Sequence, residues 1–247
     1  MSDLISIEAY LRRAPFLHAY ELGDLDPREA PHTTWYSTDD AVALIYRGLA
    51  TPTVIALADG DLAPQLALLA RVVADLAPPF YAHLSPGLEA ALSPFNRTLL
   101  AHSVKMGLTG RVAAPVGDVH WLTPTDVDEV VAFYAVAYPT GFFSPQDLGR
   151  GRFVAVRDAN GIAAIAGTHV YSPVMRVAAL GSIATRPDAR GRGHAGRVTA
   201  ALCHRIQDDI DVIGLNVRAD NAAAIACYQR VGFEPRHAYD EWRIDAG

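Results

Sequence analysis

A mixed α/β protein with mostly antiparallel sheets is the fold class this sequence predicts, on three observations. Apolar runs of strand length alternate with stretches of helical spacing along the whole chain. Asn160-Gly161, a strong hairpin signal, lies between two such runs at residues 153–157 and 162–171. A strand, a glycine-rich turn and a helix start follow one another between residues 180 and 206.

Taken in order, residues 3–23 carry helical spacing interrupted by Pro15, and residues 24–27 form a turn. Short strands are expected at 33–36, 42–46 and 53–57, then a helix over 64–76, a strand at 80–84 and a short helix at 87–92. Residues 95–117 show no clear period and are punctuated by Gly107, Gly110, Pro115 and Gly117. Beyond them come a strand at 119–122 and a helix at 124–138, with Thr123 or Thr125 as cap. The hairpin, the central strand and the helix with Ala195, Val198, Leu202 and Ile206 on one stripe come next. A strand at 212–218, a helix after Asn221 and two strands at 234–237 and 239–244 complete the chain. The 247 residues divide into expected domains at 1–112 and 113–247.

Composition narrows the function. Hydrophobic residues at 51% and charged residues at 19% describe a globular chain, and no apolar run nears the roughly 20 residues of a membrane span. The first residues lack a secretory pattern. A net charge of −6 argues against nucleic acid as partner. Cys203 and Cys227 lack metal-ligand spacing and read as reduced thiols of a cytoplasmic protein, so no metal is expected. Lys105 is the only lysine.

The turn after residue 186 carries the chemistry. Pro187 and Asp188 end the strand, Gly191 and Gly193 free the backbone, and a helix begins with unpaired N–H groups and a positive dipole end. That order builds an anion site. A Walker loop needs Gly-Lys followed by Ser or Thr, which the chain lacks. Gly191, Gly193 and Gly196 match the dinucleotide pattern G-x-G-x-x-G, but the strand-to-glycine spacing and the missing downstream acidic residue speak against it.

Arg190-x-x-Gly193-x-Ala195 instead resembles the R/Q-x-x-G-x-G/A motif of the GNAT N-acetyltransferase superfamily. Asn221, Tyr228 and Gly232-Phe233 are similar to that superfamily's second motif. The resemblance covers residues from about 118 to 247 and implies an acyl-CoA N-acyltransferase (GNAT) fold there. The order of elements in residues 1–112 is similar to glycine N-acyltransferase-like proteins, which implies a tandem with a degenerate GNAT-like first half. Asp59-Gly-Asp61 stands where its phosphate loop would be, and two carboxylates there repel phosphate; a plain structural partner domain is the alternative.

The resemblance implies acetyl-CoA as acyl donor, with Ile183, Ala184 and Thr185 pairing with its pantetheine arm. The loop Arg190, Gly191, Arg192, Gly193, His194, Ala195 and Gly196 would hold the pyrophosphate, and Asn221 would bond the arm or cap its helix. Arg197 joins the loop's arginines, and His194 is expected to serve through its backbone N–H. Tyr228 is the expected acid for the departing sulfur, because a phenol stays protonated at neutral pH; as a structural residue it would simply pack. Where many relatives carry a strand carboxylate, this chain has Gly181-Ser182. His169, placed by alternation on one face with Ile165 and Tyr171, is the expected catalytic base through water, and a structural histidine is the alternative. Asp147 is a weaker candidate, and Phe142 and Phe143 are candidate walls of the acceptor site. The expected acceptor is a small-molecule primary amine, in a monomer or homodimer. A non-catalytic acyl-CoA-binding module and a nicotinamide-dependent oxidoreductase are the rival readings.

Overall fold

The computed structural model describes residues 3–139, 141 and 143–246. The chain packs as two compact units, Met1–Lys105 with Val217–Asn221 and Pro235–Gly247, and Met106–Asn216 with Ala222–Glu234. The expected domains, 1–112 and 113–247, are each continuous in sequence, whereas the first unit takes back the turn at 217–221 and the final strand.

In the first unit, helices α1 (Leu4–Leu11) and α2 (Ala19–Asp24) flank Pro15. Asp3 caps α1 by accepting from the Ile5 N–H at 3.1 Å. Strands β1 (Thr33–Thr38), β2 (Ala41–Tyr46) and β3 (Thr53–Ala56) form an antiparallel meander. Helix α3 (Ala63–Ala74) then crosses to β4 (Phe80–Leu84), which is parallel to β3. The final strand, β11 (Phe233–Asp245), lies antiparallel to β4, and β5 (Asn96–Leu108) lies beyond it. Helical spacing puts Leu68, Leu69, Val72 and Val73 of α3 on one stripe, which packs on Val54, Phe80 and Leu84.

Strand β5 runs unbroken for 13 residues where the sequence showed no period, because its first half is exposed and lacks apolar alternation. The segments expected as two strands at 234–237 and 239–244 form the single strand β11. The 3₁₀ turn Leu88–Leu92 replaces the expected short helix. Lys105 is only 3% exposed, its ammonium lying over the rings of Tyr20 and Tyr239 at 5.3 and 5.0 Å.

The second unit opens with β6 (His120–Trp121) and α4 (Val127–Ala137). Thr123 and Asp126 form a capping box at the 3₁₀ turn that leads into α4. The short helix α5 (Asp147–Arg150) precedes the hairpin of β7 (Phe153–Asp158) and β8 (Gly161–Ser172). The hairpin turns with Asp158 opposite Gly161, whose φ of +97° needs glycine. Next come β9 (Val177–Thr185), α6 (His194–Ile206), β10 (Val212–Arg218) and α7 (Ala222–Val231). The strand order is β10-β9-β8-β7-β6, with β9 and β10 the parallel pair. Arg186 donates to Asp158 at 2.8 Å and to the Ile162 carbonyl at 2.8 Å, which ties the end of β9 to the hairpin.

Candidate active site

Gly193 is the N-cap of α6 at φ +78°, and Gly191 is at φ +77°. A Cβ at either would meet open space, so backbone conformation rather than crowding demands glycine. The turn leaves its donors bare. Arg197 N–H is the first in α6 to find an acceptor, Gly193 O at 3.1 Å. Among the described residues, no hydrogen bond takes the N–H of Gly191, Arg192, Gly193, His194, Ala195 or Gly196. His194 Nδ1 is also buried without a partner. No acidic residue sits in the first turn of α6. Such a nest at a positive dipole end suits a diphosphate.

The arginines divide. Arg190 Nε donates to Thr185 O at 3.3 Å, so its side chain folds back on β9 rather than over the turn. Arg197 lies beside Gly117, where an added Cβ would come within 3.2 Å of its guanidinium. Together with Gly193, Gly196, Cys227 and Arg230 it lines a cleft of about 530 Å³, whose far wall is the segment from Arg111 to Val116. That segment is pinned to α6, because Gln207 accepts from Val112 N–H at 2.9 Å and donates to Val112 O at 3.0 Å.

Parallel pairing of β9 with β10 stops at Leu180 and Leu215, although β9 runs on to Thr185. Ile183, Ala184 and Thr185 therefore lack a β10 partner. Unpaired strand edges of this kind accept an extended ligand. Tyr228, on α7, is 8% exposed, and its hydroxyl bonds to no described residue. Burial, and then its neighbours Cys227 and Tyr138, raise its pKa and hold it as the neutral phenol. Asn221 N–H donates to Arg218 O at 3.0 Å and closes the turn into α7.

Alternation along β8 places Ile165, His169 and Tyr171 on one face, and two bulges interrupt the pairing of β8 with β9 there. Between the pairs Ile165↔Ala184 and Gly167↔Gly181, β9 carries an extra residue around Ser182. Between Thr168↔Leu180 and Val170↔Ala179, the extra residue is His169 on β8. Ile165 is buried and His169 is exposed. His169 Nε2 lies 3.1 Å from Ser182 Oγ, and its ring covers Gly181, where a Cβ would come within 2.3 Å of it. Desolvation lowers the His169 pKa to about 4. The ring is therefore neutral at pH 7.

Ser182 itself sits at φ +52°, a strained conformation for a non-glycine residue. Tyr134, from α4, donates to the Ser182 carbonyl at 2.5 Å and stacks on Phe143 at 4.6 Å. Phe143 packs edge-on to Phe153, so it joins the core beside the bulge; Phe142 lies outside the described residues. Asp147 accepts from Ser144 N–H at 3.1 Å, a turn-forming bond. Tyr134 and Ser182 were not singled out from sequence. Tyr134 reads there as one more apolar helix position, and nothing in the residues marks the bulge.

A family model described as FR47-like protein matches residues 159–242. A GNAT-family protein from Novosphingobium aromaticivorans shares the fold with a TM-score of 0.65 at 21% identity, over 91% of this chain and 96% of that one. A GCN5-related N-acetyltransferase from Kribbella flavida aligns with a TM-score of 0.63 at 17% identity, over 100% and 97%. An acetyltransferase from the GNAT family of Colwellia psychrerythraea aligns at 0.60 and 13%, over 99% and 98%. The fold is that of the GNAT acetyltransferases. A comparison with curated proteins returned no match. Among the described residues of this GNAT fold, no helix is long and apolar enough to cross a membrane. No group of three or more His, Cys, Asp or Glu among them is arranged to hold a metal ion.

Proposed function

We propose that the second unit binds acetyl-CoA and transfers its acetyl group to a primary amine of a small molecule. One observation carries the reading: six consecutive unbonded N–H groups, Gly191 to Gly196, at the head of α6. A diphosphate there would satisfy them, and the unpaired edge of β9 from Ile183 to Thr185 would take the amides of the pantetheine arm. Tyr228, neutral and unbonded, is suited to protonate the departing sulfur. His169, neutral at working pH, is suited to accept the proton that the amine must lose.

The first unit supports a degenerate GNAT-like half, similar in layout to glycine N-acyltransferase-like proteins. It repeats the order of parallel strand, helix and parallel strand in β3, α3 and β4. Its strands, however, pair to their ends at Ala56 and Leu84. Ser85 then seals the end of that pair, its N–H donating to Ala56 O at 3.2 Å and its hydroxyl accepting from Ala58 N–H at 3.0 Å. At the start of α3, Asp61 takes the Ala63 N–H at 3.0 Å, so the chain's own carboxylate fills the anion position. Unpaired Cys203 and Cys227 agree with a cytoplasmic setting, and a monomer or homodimer belongs to the same proposal.

Calorimetric titration with CoA tests the reading. The wild type is expected to bind, and Gly193→Glu to lose binding, because a carboxylate would stand against the diphosphate. Unchanged affinity in the variant would refute the loop assignment. Thermal protection by CoA and not by NADH separates this reading from a nicotinamide enzyme. Gly181-Ser182 in place of a carboxylate favours a second reading, a non-catalytic acyl-CoA-binding module. Thiol release from acetyl-CoA with a panel of amines decides between them, and binding without turnover selects the second.

A further inference from the structure

Two bulges lie at a histidine and a serine that meet across the ladder, His169 Nε2 being 3.1 Å from Ser182 Oγ. His169 has no residue opposite it in β9, and the extra residue of β9 lies at Ser182, so the two irregularities face each other across the β8–β9 ladder. Paired bulges of opposite sense restore the register beyond them, which leaves the rest of both strands regular. Ser182 also lies just past Leu180, where pairing with β10 ends. Ser182 is 4% exposed, and its hydroxyl is turned to His169 across the ladder. The carbonyl of the same residue is held by Tyr134, which fixes the strained backbone. Gly181 completes the arrangement, since any side chain there would strike the imidazole.

We propose that Ser182 and His169 form the base of acyl transfer, taking the place of a strand carboxylate, with Gly181 as the positioning residue that seats the ring. The proposal rests on the acyltransferase reading above. In the step, Ser182 Oγ accepts a proton from the acceptor's ammonium and passes its own to His169 Nε2. The freed amine nitrogen attacks the thioester carbon, a C–N bond forms, the nitrogen gives up its second proton to solvent, the C–S bond breaks, and Tyr228 protonates the leaving thiolate. The imidazolium then returns its proton to water from its exposed side, and Tyr228 is reprotonated from solvent. The path needs the Nδ1–H tautomer, so that Nε2 accepts. Its neighbours in the ladder, Thr168, Leu180 and Gly181, carry no charge, and the lowering of its pKa comes from desolvation alone.

Single and double variants of the full chain test this, after the wild type has been shown to bind CoA and to release thiol with an amine from a panel of amino acids and diamines. Ser182→Ala and His169→Gln are each expected to lower kcat by about 100-fold. The double variant should lose no more than the worse single one, because both remove one path. CoA affinity should hold in all three. Imidazole in the buffer should restore part of kcat to His169→Gly, and none to His169→Gly with Ser182→Ala. Gly181→Ala should behave as His169→Gln does, by expelling the ring. Wild-type kcat in Ser182→Ala, or losses that multiply in the double variant, would overturn the proposal while leaving CoA binding and the acyltransferase reading intact. Should no amine on the panel react, nitrogen NMR of the imidazole still decides. The Nδ1–H tautomer in the wild type, lost in Ser182→Ala, supports the path, and an Nε2–H tautomer in the wild type refutes it.

Discussion

Tyr228 owes its candidacy to what its hydroxyl lacks. It is buried on α7, its ring meets Phe233 edge-on at 6.3 Å, and its oxygen makes no bond to a described residue that would compete for a departing sulfur. Replacing it with phenylalanine keeps the ring contacts and removes the proton. Tyr228→Phe is therefore expected to lower kcat by about 100-fold with CoA affinity unchanged. Steady-state thiol release and calorimetry read the two quantities, and an unaltered rate would remove the tyrosine from the mechanism. Tyr228 was legible in the sequence because Asn221 and Gly232-Phe233 flank it at telling distances. Ser182 was not legible, because a bulge is a mismatch between two strands and neither strand records it alone.

At the level of the element, α6 and α7 approach closely at Gly196, where an added Cβ would lie 3.6 Å from Cys227 Sγ. That is ordinary contact, so alanine fits. Gly196→Ala is expected to raise stability by about 0.5–1 kcal/mol, because it removes a glycine from the helix, and thermal or urea melting reads the gain. A larger side chain would enter the cleft that Gly196 lines with Arg197 and Arg230. Gly196→Leu should weaken CoA binding more than it alters stability. Equal CoA affinity in the two variants would place the ligand elsewhere. The α6 stripe was readable beforehand: Val198, Leu202 and Ile206 are all buried, as 3.6-residue spacing requires. Strand β5 was not, because an exposed half-strand has no apolar alternation to read.

Across the whole molecule, the least expected polar feature is the buried charge of the first unit. Burial lowers the Lys105 pKa, against the opposing pull of Glu21, Glu241 and Asp24. Burial by itself would raise the pKa of Glu21, but Lys105 and His18 bring it below the ordinary value. A depressed carboxylate contributes stability above its unfolded pKa of about 4.3, and that contribution is lost as pH falls through the folded value. Lys105→Met leaves Glu21 short of its cation. The variant should be less stable by about 3 kcal/mol at pH 7, and the deficit should narrow as pH falls and Glu21 takes up a proton. Adding Glu21→Gln should recover part of the loss. Urea melts across pH 3–8 check both, and a variant as stable as the wild type would show that the lysine carries no compensating charge.

The residues alone marked most elements outside β5, the hairpin at Asn160-Gly161 and the glycine-rich turn at Arg190 to Ala195, because each is a local matter of spacing and backbone freedom. The tertiary structure decided the rest. Arg190 turns back on β9, β9 parts from β10 after Leu180, and His169 meets Ser182 over Gly181. Each of these depends on which residue of one strand stands opposite which residue of another, and a one-residue offset in that register reverses the direction every later side chain faces.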